Sequence, residues 1–261
     1  MSVWDNYANR IAIRGETKYD TVHRRESKTI FSKLPDNLSY QTVTVYEPEY
    51  GYNITENDVS SKSFTQQVAI INSDNLNEKY VYSLPGEDIG HGDLIEWMGN
   101  RWLVTERDAN TTIYTRAIMV QCNHLLKWVS AEDTVIEQWC IIEDGTKYLT
   151  GEYEDRDFIV TRGDSRIAMT IARNSETVKF NRENRFLIDD PDSPIKLAYL
   201  LTKPLKLGWS FNKSGCYKFV LQEVNGTDYD DKERGIADYY RHFPKDAGGD
   251  NENPDGKKVW L

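Results

Sequence analysis

The sequence predicts an all-β fold: one or two small β-barrel or sandwich units, an N-terminal arm, a short C-terminal helix and a flexible tail. Three observations lead there. Short runs of apolar and β-branched residues recur along the chain. Two-residue turn signals separate them, at Gly99-Asn100, Asp144-Gly145 and Gly163-Asp164. A pattern near residue 93 also returns near residue 186. Short strands with regular turns favour a barrel or sandwich over alternating βαβ units.

The arm covers residues 1–40. It is polar, with a helix expected in its middle and a stop at Pro35. The first β unit is expected over 41–130. "YQTVTVYEPEY" and "FTQQVAIINSD" read as strands, and "NLNEKYVYSLPGEDIGHG" reads as a long loop broken by Pro85-Gly86. The hairpin "GDLIEWMGNRWLVTERD" follows. A turn at Gly99-Asn100 sets Trp97 opposite Trp102 and Ile95 opposite Val104. The period of two then puts Ile95, Trp97, Trp102 and Val104 on one core-facing side. Glu96, Met98, Arg101 and Thr105 fall on the other, which is expected to meet water or a partner. "IYTRAIMVQCNHLLKWV" reads as one long strand.

The second unit is expected over 131–225. "WCIIEDGTKYLTG" carries Asp144-Gly145, a strong type I′ signal. "FIVTRGDSRIAMTIA" can turn at 163–164, pairing Val160 with Ile167 and Phe158 with Met169. "RFLIDDPDSPIKLAYLLTKPLKL" reads as two strands around a Pro-rich loop, and "GCYKFVLQEV" as another strand. "DLIEWMGNRWLVTER" and "FLIDDPDSPIKLAYLLTKP" share a shape: apolar pair, acid, turn, then an apolar run ending in Thr and a base. This is a weak internal repeat of two related units. The extension spans 226–261. "ERGIADYYRHFP" suggests a short helix ending before Pro244. "KDAGGDNENPDGKK" lacks the apolar surface to order itself.

Net charge is −10, which argues against nucleic-acid binding by the whole surface. The charge is uneven. Residues 1–34 hold seven Lys/Arg against four Asp/Glu, a balance of +3, so the remainder carries −13. No apolar leader and no run of 18 apolar residues is present, so neither a signal peptide nor a membrane span is expected. Cys122, Cys140 and Cys216 are odd in number and widely spaced, which favours free buried thiols over a disulfide framework.

No catalytic pattern emerges. Cys122-x-His124 lacks the further ligands a zinc site needs and reads as a buried thiol beside a core histidine. Arg162-Gly163-Asp164 reads as a turn. Glu152/Glu154 and Asp189/Asp190 read as solvated carboxylates, not a glycosidase pair. No P-loop, Rossmann or G-x-S-x-G motif occurs. No enzyme activity, cofactor or metal is therefore expected. Two segments could reach a partner: the basic stretch with Arg24, Arg25 and Lys28, and the apolar tip Val259-Trp260-Leu261.

The blocks 85–128 and 143–190 resemble structural proteins of tailed phages, and look like head-tail connectors of long-tailed phages and prophages. The first block is similar to the small barrel of stopper-type neck proteins, where a "GD-apolar-apolar…G-x-R-aromatic" hairpin is common. The similarity covers roughly residues 60–225; the second β block and the tail depart from the stopper pattern. The resemblance implies a non-enzymatic, ring-forming virion protein at the head-tail junction, assembled in the host cytoplasm. It implies a portal or adaptor on one side, a tail terminator or tail tube on the other, and DNA passing in the channel. Two alternatives stand beside it: another phage tail structural protein, or a carbohydrate-binding host-recognition module, which would display aromatics on an exposed face.

Overall fold

The computed structural model describes residues 3–4, 6–8, 17–53, 63–108, 113–144, 166–188, 193, 196–206, 210–211 and 214–244. A closed six-stranded barrel and a seven-stranded, barrel-like sheet dominate it. Helix α1 (Lys18–Lys33) precedes them. Thr17 and Asp20 form its capping box, each side chain taking the other residue's backbone N–H. A 3₁₀ turn, Leu34–Asp36, ends it at Pro35, which cannot supply a helical N–H.

The first unit is a closed barrel of β1 (Tyr40–Tyr46), β2 (Phe64–Asn72), β3 (Glu78–Ser83), β4 (Leu94–Trp97), β5 (Asn100–Arg107) and β6 (Arg116–Gln121). They run in the order β1-β2-β3-β6-β5-β4, and β4 pairs back onto β1, with Val45 opposite Ile95. Closure leaves no free edge to recruit another strand. The interior is mostly β-branched or aliphatic: Val43, Val45, Val68, Ile70, Val81, Ile95, Val104 and Met119, with Trp102 the large ring. Strand β3 lies inside the segment expected to be a loop. Its two tyrosines, Tyr80 and Tyr82, are only half-buried, while Val81 is fully buried and supplies the barrel contact.

The hairpin of β4 and β5 keeps its predicted faces but not its predicted register. The turn is Met98-Gly99, with φ of 50° and 74°, so Trp97 meets Asn100 and Ile95 meets Trp102. Two positive φ values make the twist that matches a right-handed strand pair. Both registers put the same side chains inward, so alternation could not separate them. Trp97 and Trp102 remain in diagonal contact, with ring centroids 5.7 Å apart. Trp102, Ile95 and Val104 are buried, and Trp97 is half-buried against them.

The expected single strand over 113–129 is two strands. The chain breaks at Cys122-Asn123, and β7 (His124–Val129) enters the second sheet. The passage between units therefore comes before residue 130. The second sheet adds β8 (Val135–Asp144), β9 (Arg166–Ala172), β10 (Arg185–Ile188), β11 (Leu197–Leu205), β12 (Ser210–Phe211) and β13 (Ser214–Val224). Its order is β10-β11-β13-β9-β8-β7, with β12 paired to β13. β10 and β7, the two ends of that order, lie beside each other. Residues 145 and 163–164, where turns were expected, lie outside the described residues. β9 is paired on both edges: Ile167 faces Leu221 and Asp144, and Met169 faces Phe219 and Ile142.

Phe180 fills the centre of this unit from a connection, not a strand. Its ring stands 5.0 Å from Trp128, 5.1 Å from Phe186 and 5.9 Å from Phe219. The two hairpins of the internal echo, β4–β5 and β10–β11, are both antiparallel, one in each unit. Helix α2 (Tyr239–His242) ends before Pro244, as expected. Arg185 on β10 ties the segment ahead of it to the sheet. Its guanidinium donates to both carboxylate oxygens of Asp230, to Asp238 and to the Asn225 carbonyl, all within 3.2 Å.

Candidate functional site

The two units meet face to face. Leu94 and Leu103, on the outer side of the first hairpin, pack with Tyr46 and Cys122 against Ile141, Ala172 and Cys216 of the second sheet. That side was expected to be wet. It stays open at Glu96, Met98, Arg101 and Thr105, and Glu96 pairs with Arg101 at 2.6 Å beyond the apolar contact.

Backbone seals the seam. Gly215 N–H donates to the His91 carbonyl across it at 2.8 Å, and Gly92 N–H holds its own loop to the Val104 carbonyl at 2.9 Å. Gly92 has φ +93°, and a Cβ there would stand 2.4 Å from the Gly215 carbonyl oxygen. Only glycine meets both conditions. The segment after β1 crosses the same seam: Asn53 exchanges two 2.7 Å hydrogen bonds with the backbone of Glu137.

This contact buries titratable groups. Burial pushes the Asp93 carboxyl up to about 6, although it accepts a 2.6 Å hydrogen bond from Gly90 N–H. Burial also lowers the basicity of the His91 ring. It pushes the Cys122 thiol up to about 12 and raises Cys140 and Cys216 well above the usual thiol range. Thiols this protonated are poor nucleophiles and poor metal ligands. Among the described residues, no three His, Cys, Asp or Glu side chains converge as a ligand set, and no helix is long and apolar enough to cross a membrane.

The seam opens at one end into a cleft of about 150 Å³. Glu78, Glu106 and Glu143 line it with Lys218; Val120 and Ile141 add apolar surface. The three glutamates come from β3, β5 and β8, so both units contribute. Their sequence separation hides the cluster until barrel closure brings the strands together.

Helix α1 is the other unusual surface. Five Lys/Arg stand on it against two carboxylates, and none of its residues is buried. Arg24, Arg25 and Lys28, the partner residues expected from sequence, are exposed on this helix. Tyr19, Val22 and Phe31 are 61, 50 and 46% exposed. The expected C-terminal contact, Val259-Trp260-Leu261, lies outside the described residues. The core expected at Ile95, Trp97, Trp102 and Val104 faces the barrel interior, so these two tryptophans present no exposed aromatic face for a sugar.

Residues 10–121 match the family described as the YomX N-terminal domain, a prophage-type family. The match suggests a phage-related protein. It ends where β6 ends, so it covers α1 and the barrel, and the second sheet lies beyond it. No curated protein matches the chain. One solved structure with some likeness is the Bacillus subtilis inhibitor of motility (MotI/DgrA), at 12% identity over 78% of this chain and 96% of that one. Its TM-score of 0.18 carries no argument about fold or function.

Proposed function

We propose that this chain is a non-enzymatic virion component that forms a ring at the phage neck, between portal and tail. The observation that carries the reading is a YomX-type barrel, locked to a second β unit, with an exposed basic helix outside its own core. A ring subunit needs a stiff body and a segment that reaches a neighbour. The interlocked seam supplies the first, and the arm is suited to the second. The neighbours in this reading are a portal or adaptor and a tail terminator or tail tube, with DNA passing through the channel.

Mass photometry of the full-length chain, alone and with its portal, tests the reading. A closed multiple of the 30.3 kDa subunit is expected in at least one case. A strict monomer in both would sink it.

A further inference from the structure

Helix α1 leaves most of its surface open, and only His23, Ser27, Thr29 and Ile30 are half-buried. Sixteen residues alone in water form a marginal helix, even with a good cap. Here no residue is buried, and aromatic and aliphatic side chains stand exposed beside guanidinium groups. Such a surface gains most by meeting a second surface that is apolar and acidic together.

The chain carries that counterpart. Residues 1–34 carry a balance of +3 and the remainder −13. The cleft at the seam joins Glu78, Glu106 and Glu143, in excess over the single Lys218, to apolar Val120 and Ile141. A volume of about 150 Å³ is too small for a helix but holds the tip of a long basic side chain. Its alkyl stem can cover the apolar wall while the head reaches a carboxylate.

We propose that helix α1 of one copy docks on the acidic cleft of the next, with Arg24, Arg25 and Lys28 reaching its glutamates. The inference deepens the ring reading and rests on it, naming the contact between subunits. A second copy is favoured over DNA for two reasons. Tyr19, Val22 and Phe31 offer apolar area that a phosphate backbone does not use, and the rest of the chain would repel DNA at close range.

The test is sedimentation of the full-length chain and three variants at low and high salt. The first reverses the arm, Arg24→Glu with Arg25→Glu and Lys28→Glu. The second reverses the cleft, Glu78→Lys with Glu106→Lys. The third combines both. Circular dichroism melting checks that each folds. At low salt each single reversal should weaken self-association by about tenfold or more, and the combination should restore most of it, as complementary charge requires. At high salt the differences should shrink. If the parent assembles and both reversals assemble equally well, this inference falls while the ring reading stands. Failure of the combined variant to recover also overturns it. A parent that is monomeric throughout defeats both. Loss of binding to a duplex DNA probe in the arm variant, with self-association intact, makes the arm a DNA contact and overturns the proposal.

Discussion

Replacing Asp93 by Asn should change how stability depends on pH, and the sign follows from the burial of the carboxyl. Asp93 sits in the seam with its carboxylate on Gly90 N–H. Its pKa is about 6 in the fold against an ordinary 3.8. The native state therefore holds this proton more tightly than the unfolded chain does. The stability it contributes is present below the unfolded value and is lost as pH rises through about 6. A difference of roughly two units corresponds to about 3 kcal/mol at most. Asn keeps an oxygen that can accept from Gly90 but cannot ionise. Relative to the parent, Asp93→Asn should gain up to about 3 kcal/mol between roughly pH 4 and pH 8. Urea unfolding across that range, read as the difference between the two proteins, measures it. Other carboxylates cancel in the difference. One of these is Asp230: burial raises its pKa, but the Arg185 and backbone hydrogen bonds outweigh burial and hold it below the usual range. A difference that stays flat with pH would refute the reasoning.

Other consequences can be measured on the purified chain. Trp102→Ala should cost about 3–5 kcal/mol and Trp97→Ala clearly less, because only Trp102 is enclosed by the barrel. Neither indole N–H has a hydrogen-bond partner, so Trp102→Phe should be the milder change at that site; thermal melts that rank these variants otherwise would count against the packing. Gly92→Ala should cost at least about 2 kcal/mol, since it adds both a strained φ and a backbone clash across the seam; an unchanged denaturant midpoint would mean the units do not interlock there. Arg185→Lys should raise amide exchange over 226–244 by removing the paired contact to Asp230, and unchanged protection there would show the segment is held by other means.

Much of the fold was legible because period-two patterning directly reports which side of a strand is wet. Ile95, Trp102 and Val104 were assigned inward on that ground, and they are inward. The pairing of Trp97 with Trp102 was not legible, since two registers shared the same faces and only the Met98-Gly99 turn and closure onto β1 decide between them. Strand β3 escaped because Tyr80 and Tyr82 sit among polar neighbours and Val81 is its one apolar side chain that is fully enclosed. On the hairpin's outer side Glu96, Met98, Arg101 and Thr105 are open as the pattern implies, while Leu94 and Leu103 cover a second unit, a tertiary contact that local patterning cannot report. The basic helix was visible as a charge imbalance. Its acidic counterpart was not, because Glu78, Glu106 and Glu143 meet only after both sheets form.

The proposed role gives this chain a fixed place in the particle. Electron microscopy of purified phage particles carrying a gold-labelled copy of this chain tests it most directly. The account predicts label concentrated at the junction of head and tail, in a ring around the channel axis. Label at the tail tip or along the shaft, or particles that lack the chain altogether, would contradict it.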